Sequence, residues 1–302
     1  MKKSQPSGSA SPLVSIGLPV HNGAHFLRQA IDSILQQDFT DLELIVCDNA
    51  STDDTVAIVE EYAAADSRVR CYRNETDLGA AKNFSRVFEI AQGEYFKWAA
   101  HDDWISKDFL QKCVNELNAH PESVLCYPAM QVTELNGTER HIRDESLGIT
   151  DQVHLFRRFH TYIWRYFDPT RPVFGLIRAD ALRQTGLIRN CPEPDRVLLG
   201  ELALLGTFRE IPEPLFHRRM RTQHYTHNTW TWLDSSNTKR RKSAARRMMS
   251  CHINAIAKTE TNHFKKAMMV SDFCIAFSTQ RIQGKYRSIR RQHRQRHDAM
   301  ST

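Results

Sequence analysis

The chain has 302 residues, 41% of them hydrophobic and 25% charged, with a formal net charge of +6. This composition is ordinary for a soluble globular protein and gives enough chain for one large domain or two small ones. No apolar stretch reaches membrane-spanning length, and residues 1–12 carry two lysines but no apolar core. Neither a spanning helix nor a secretory signal is therefore expected.

The lead-in 1–12 reads as disordered, and a chain without a leader is expected in a reducing cytoplasm. Its seven cysteines are scattered with no CxxC spacing. Buried free thiols are the expected state, not zinc ligands or disulfides. The charge is uneven: residues 239–302 hold 16 Lys+Arg against 3 Asp+Glu, a net of +13, while residues 1–238 carry −7. A basic tail on a mildly acidic body points to an anionic partner surface, whether lipid headgroups, nucleic acid or an acidic protein.

In chain order, Leu13 to Val20 reads as a first strand, with Pro19 ending the pairing. His21-Asn22-Gly23 is a loop, and Phe26, Leu27, Ala30, Ile31, Ile34 and Leu35 then recur at helical spacing. Leu42 to Cys47 is a second strand that runs into the polar stretch Asp48 to Asp54, where Thr52 or Asp53 caps a helix. Val69 to Tyr72 is a third strand, Asn74 to Gly79 a loop and Ala80 to Ala91 a helix.

A fourth strand, Tyr95 to Ala100, ends in His101-Asp102-Asp103, and Ser106 is a candidate N-cap for the segment that follows. Four strand–helix alternations predict a parallel α/β sheet with the polar loops gathered on one edge. The absence of Gly-x-Gly-x-x-Gly after the first strand argues against a dinucleotide oxidoreductase, and the absence of a P-loop against a P-loop kinase.

Farther on, Ser123 to Val132 reads as a strand, Asn136-Gly137 as a turn and Leu155 to Tyr166 as an amphipathic aromatic segment. Val173 to Ile177 reads as a strand. Pro192-Glu193-Pro194-Asp195 reads as a rigid loop before an apolar helix, Val197 to Leu205. Phe208 to Phe216 is strand-like, held to a sheet edge by Pro212 and Pro214. Beyond about 238 the chain is helical and basic. Met249, Ile253 and Ile256 form one apolar face, and Phe264, Ala267, Met268, Cys274 and Ile275 a second.

The pair Asp102-Asp103 carries the chemistry. Adjacent carboxylates at a strand end repel unless a cation or polyol shares them, so they are a candidate for a divalent metal and sugar hydroxyls. The alternative is an Asp-rich turn.

Together, Val14 to Gly23 with Phe26-Leu27, Ile45 to Asp53, Asn74 with Gly79 and Asn83, and Ala100 to Asp103 resemble the motifs of the family 2 glycosyltransferases, inverting enzymes with the GT-A fold. The resemblance is close over 13–134 and looser through Phe174 to Arg178, Asp195 to Leu199 and Ile211 to Leu215. It implies a Rossmann-like, mostly parallel sheet flanked by helices. The GT-A domain would span 13–225, with a nucleotide-binding half over 13–120 and an acceptor half over 121–225, followed by a basic helical extension over 226–302.

It further implies transfer from a nucleotide-diphosphate sugar, a UDP-sugar favoured, to a saccharide or lipid-linked acceptor in bacterial surface polysaccharide or glycolipid synthesis. By the resemblance, Pro19, His21 and Asn22 line the base and Asp48 accepts from it. Asn74 and Lys82 face the same edge, Lys82 as a phosphate ligand or a solvated lysine. Asp102 holds ribose hydroxyls and Asp103 ligates Mn²⁺ or Mg²⁺. Asp195 is the catalytic base with Glu193 as runner-up, or a helix cap. Arg219 and His224 belong to a basic segment closing over the diphosphate.

Ala100 stands where the family often has an Asp, which leaves open weaker metal use or a catalytically inactive nucleotide-sugar-binding scaffold. Nucleic-acid binding through the basic tail is a further alternative, but the tail lacks a nucleic-acid motif and its aromatics are few, so no nucleic acid is expected. Peripheral contact with the anionic inner leaflet is the expectation for 239–302, beside a plain solvated tail.

Overall fold

The computed structural model of the chain describes residues 11–133, 138–142, 154–165, 170–191, 193–220 and 239–279. The first half alternates as expected: β1 (Val14–Val20), α1 (Ala24–Leu35), β2 (Leu42–Asp48), α2 (Thr55–Ala65), β3 (Val69–Arg73), α3 (Ala80–Glu89) and β4 (Tyr95–Trp98). There follow β5 (Trp104–Ile105), α4 (Phe109–Ala119), β6 (Ser123–Thr133), β7 (Glu139–Ile142), α5 (Leu155–Arg165), α6 (Thr170–Val173), β8 (Leu176–Arg178) and α7 (Ala179–Arg183). The described chain closes with α8 (Pro194–Leu205), β9 (Thr207–Arg219) and α9 (Lys239–Lys258), then α10 over 263–279.

One sheet runs β3-β2-β1-β4-β8-β6-β9-β5, with β7 beside β6. β1 to β4 pair in parallel. β8 is antiparallel to both β4 and β6, and β9 is parallel to β6. Six strands, β1 to β4, β6 and β9, therefore point the same way, and their carboxyl ends share one edge. The sheet is mostly parallel with short antiparallel insertions. The three-residue β8 lies between β4 and β6, which share a direction.

Pro19 interrupts pairing on one side only. Gly17 O accepts from Ala99 N–H at 2.8 Å, and Pro19, two residues on, faces the same side without a donor. Pairing with β4 stops at Gly17, while pairing with β2 continues to Val20. This frees the β4 end to turn toward Asp102 and Asp103.

Each face of the sheet carries a core layer. Val14, Ile16, Leu18, Leu44, Val46 and Tyr95 pack under α1, α2 and α4. Phe96, Trp98, Leu125, Tyr127 and Ile177 pack with α5 and α8. The alternation of Tyr95, Phe96 and Trp98 between layers is the period-two rule of a strand buried on both sides. Burying these side chains contributes roughly 1.5–3 kcal/mol each before entropy is counted.

Several expectations are corrected. Ser106 does not cap α4, which begins at Phe109 after Asp108. Its Oγ lies 2.9 Å from His217 Nε2 instead, because the missed strand β5 pairs Trp104 with His217 there. β9 is not an edge strand: Pro212 falls in a register break between Ile211 and Pro214, and β5 lies outside it. The segment before β8 is a helical turn, not strand, and α8 starts at Pro194, three residues before Val197. Proline at the first helical position loses no hydrogen bond, so Pro194 and Asp195 of the expected loop open the helix instead. The Asn136-Gly137 turn lies outside the described residues; the β6–β7 pairing flanks it.

In α10 the buried residues are Met269, Phe273 and Ala276, whereas Phe264, Met268 and Ile275 are exposed. The helix has two apolar stripes, and the one that meets α5 and α9 is the inner one. Ile256, Met269 and Phe273 share a core layer with sheet residues, so the basic extension packs directly on the α/β body.

Candidate active site

The loops after β1 and β2 are laced by side-chain bonds. Asn22, with φ of 51°, receives its position from both sides. Its N–H donates to Ser51 Oγ at 2.8 Å and its Oδ1 accepts from Thr52 N–H at 2.8 Å. Asparagine tolerates this left-handed backbone better than most residues. His21 Nδ1 lies 2.9 Å from Asn49 O. Asp53 accepts from Ala24 N–H and from Thr55 N–H, each at 3.1 Å, and so joins both loops at the start of α2. Gly23 is required by a close approach: a Cβ there would lie 2.8 Å from His101 Cδ2 and 2.5 Å from Val20 Cγ2. The first loop thus touches the loop that carries Asp102 and Asp103.

Pro19 is buried beside Cys47, and Asp48 ends β2 with no exposed surface. The Asp48 carboxylate accepts from Ser51 N–H at 3.1 and 3.3 Å and pairs with Arg73 Nε at 3.6 Å. Asn74 is buried in an amide network. Its Nδ2 donates to Asn49 Oδ1 at 2.9 Å and Asn83 Oδ1 at 3.0 Å, and Asn83 Nδ2 donates to Cys47 O at 2.9 Å. Asn74 Oδ1 is left as a buried acceptor with no partner among the described residues. Lys82 is exposed in the first turn of α3.

Asp103 N–H turns back on Ala100 O at 3.4 Å, and the β5–β9 pairing then brings the end of β9 alongside. Arg219 N–H donates to Asp103 Oδ1 at 3.1 Å. Asp103 is buried, and burial with the charge of Asp102 pushes its carboxyl up to about 7, against the Arg219 bond and the charges of Arg218 and Lys97. Two adjacent carboxyls, one of them held back from ionising, form a donor set that a divalent cation would relieve. Among the described residues no group of three or more His, Cys, Asp or Glu side chains stands together as a complete metal site. Asp102 and Asp103 are the residues that would hold such a cation.

The Arg219 side chain goes elsewhere than expected. Its guanidinium lies over the Phe26 ring at 4.2 Å and the Trp104 ring at 5.0 Å, with Nη2 on Gln29 Oε1. It clasps the end of β9 to α1. His224 lies outside the described residues.

Asp195 occupies the second position of α8. Gly206 alone separates α8 from β9. Burial pushes the Asp195 carboxyl up to about 6, and the charge of Glu193 adds to this against the Arg196 N–H bond at 2.9 Å. A helix N-terminus favours the ionised carboxylate, but burial outweighs that effect here. Glu193 is paired with Arg196 Nη1 at 2.7 Å.

Two residues escaped the sequence reading. Arg73, at the end of β3, covers Asp48. Lys97 is fully buried in β4, with Nζ donating to Trp98 O at 3.1 Å and to Phe174 O, and lying 4.6 Å from the Phe109 ring centroid. A lysine inside an aromatic strand was itself a legible signal, since charged side chains are rarely buried without a purpose.

A family model described as "Glycosyl transferase family 2" matches residues 15–179. An uncharacterized glycosyltransferase of Rickettsia bellii is 34% identical over 149 residues, which cover 48% of this chain and 21% of that protein. Chondroitin synthase of Escherichia coli is 33% identical over 105 residues, 35% of this chain and 15% of that protein. The chain spans less than half the length of the first curated relatives it matches.

Among solved structures, S. aureus TarS in complex with UDP-GlcNAc is similar with a TM-score of 0.64 at 18% identity, covering 87% of this chain and 72% of that one. The mannosyltransferase PcManGT from Pyrobaculum calidifontis, in complex with GDP-Man and Mn²⁺, gives 0.53 at 16% identity, covering 93% and 81%. These likenesses establish the fold.

Proposed function

The chain belongs to glycosyl transferase family 2, and on that premise we propose that it moves a sugar from a nucleotide-diphosphate sugar to a hydroxyl acceptor with inversion at the anomeric carbon. The observation that carries this reading is the meeting of Asp103 with the end of β9, on the edge where the Asp48 and Asn22 loops also lie. A UDP-sugar is favoured because TarS, similar over most of the chain, was solved with UDP-GlcNAc.

In this reading His21 and Asn22 border the base, and Asp48 accepts from it as Arg73 swings aside. Asn74 positions the loop through its amide network. Asp102 takes ribose hydroxyls, and Lys82 faces the phosphates. Mn²⁺ or Mg²⁺ at Asp103 would stabilise the negative charge growing on the departing diphosphate. Arg219 contributes through its backbone bond to Asp103 and its clasp on α1. Asp195 takes the acceptor proton as the hydroxyl attacks, and a carboxyl near 6 suits a base at neutral pH. The acceptor is a saccharide or lipid-linked sugar of bacterial surface polysaccharide, and the protein works on the cytoplasmic side. No helix among the described residues is long and apolar enough to cross a membrane.

Ala100 favours a second reading, a nucleotide-sugar-binding scaffold without turnover. A thermal-shift panel of UDP, GDP, dTDP, CDP and NADH, with and without Mn²⁺, followed by donor hydrolysis, tests both. A ligand at 100 times its Kd adds about 2.7 kcal/mol of stability. Metal-dependent stabilisation by one nucleoside diphosphate, lost in Asp103→Ala, with slow hydrolysis of its sugar conjugate, is the expected result. Binding without hydrolysis or transfer would favour the scaffold, and stabilisation by NADH alone would overturn both.

A further inference from the structure

Helix α10 is apolar on two separate sides. Its inner side is fixed: Met269, Phe273 and Ala276 are buried, and His252 stacks on Phe273 with ring centroids 4.5 Å apart. Asp272 accepts from Trp164 Nε1 at 2.8 Å and lies 2.7 Å from His160 Nδ1, which anchors the helix to α5. The outer side shows Phe264, Met268 and Ile275, exposed by 73%, 41% and 55%. At 3.6 residues per turn these positions fall within an arc of about 40°. They are three of the five large apolar side chains exposed among the described residues, which makes a stripe and not a scatter.

We propose that this outer face of α10 is a membrane-docking surface, which seats Phe264, Met268 and Ile275 at the headgroup–acyl boundary of an anionic bilayer. The inference deepens the reading above by naming the partner of residues 239–302. It rests on that reading only for its purpose, which is to bring the site to a lipid-linked acceptor.

Charge selects the occupant. Lys258 and Lys265 are exposed on and just before the helix. The chain that continues past it, residues 280–302, adds seven Lys+Arg against Asp298 alone. A second copy of this chain would bring the same +13 segment against its like, which repulsion disfavours. A nucleic acid would meet the charge but leave the apolar stripe in water. An acidic bilayer satisfies both: acyl chains take the stripe while lipid phosphates meet the lysines and arginines.

The test is co-sedimentation of the full chain with vesicles of phosphatidylcholine alone or mixed with phosphatidylglycerol, at low and high salt. The expected result is binding to the phosphatidylglycerol vesicles only, weakened by salt. The triple variant F264S/M268S/I275S should bind them at least about tenfold less, with an unchanged melting temperature and nucleotide-induced shift. Phe264→Trp should show a blue shift in emission on the same vesicles.

Failure of the wild type to bind, undiminished binding by the triple variant, or conversion of a wild-type dimer to monomer by it would each overturn the proposal. Vesicle binding that persists in a protein without donor hydrolysis would count against the catalytic reading alone. Hydrolysis without vesicle binding would count against this surface alone.

Discussion

The backbone N–H of Arg219 donates to Oδ1 of Asp103 at 3.1 Å across 116 residues of sequence. This bond joins the last strand of the sheet to the acidic turn after β4. It also exists at a cost, because the acceptor is a buried carboxyl beside a second carboxylate.

That cost gives the first prediction. Asp103 is raised from 3.8 to about 7, so the folded state binds more protons than the unfolded state between those values. Its contribution to stability is present in acid and lost as pH rises through 7. Asp103→Asn keeps an Oδ1 for Arg219 N–H and removes the charge. Urea melts at pH 8 should show the variant more stable by roughly 1–3 kcal/mol, a gain that fades toward pH 4. Metal-dependent nucleotide binding should disappear at the same time. A variant less stable than wild type at pH 8 would show that the carboxylate is already compensated.

The second concerns Asp195. Asp195→Asn preserves the bond to Arg196 N–H, so donor affinity should stay within about twofold while kcat falls by about 10²–10⁴. In the wild type kcat/KM should rise with pH through about 6, where Asp195 ionises. The charge of Glu193 raises that value, so Glu193→Gln should move the acid limb to lower pH with turnover retained. A limb that does not move, or loss of turnover in Glu193→Gln but not in Asp195→Asn, would transfer the base role to Glu193.

Lys97 supplies the third. Burial draws its ammonium down from 10.5 to about 7, so the unfolded state binds more protons across that window and wild-type stability gains as pH rises from 7 to 10.5. Lys97→Met fills similar volume and removes the titrating group. The stability difference between wild type and variant should therefore shift in favour of wild type by about 1–3 kcal/mol between neutral pH and pH 9.5 or so. Removing this charge should also raise the Asp103 carboxyl further and weaken metal-dependent nucleotide binding at pH 7. Parallel denaturation curves at the two pH values and one nucleotide titration decide the matter.

What the sequence determined by itself was local. Alternating apolar runs gave β1 to β4 and α1 to α3, since strand and helix periods are properties of neighbouring residues. The polar residues ending those strands, Asp48 and Asp102-Asp103, were legible because the chain must turn at the sheet edge. The likeness of four successive motifs to a known family needed no structure either.

Tertiary structure decided what depends on distant partners. The two-residue β5 has no signal of its own and exists because β9 lies beside it. Arg219 reads as a phosphate ligand in sequence, yet Phe26 and Trp104 hold its guanidinium against α1 and only its N–H reaches Asp103. In α10 both apolar stripes satisfy the same helical period. Which of them faces the core was settled by the packed neighbours: His252 stacks on Phe273, Trp164 and His160 hold Asp272, and Phe264, Met268 and Ile275 are left outward. Periodicity sets which residues share a face, and only the packed neighbours determine which face is buried.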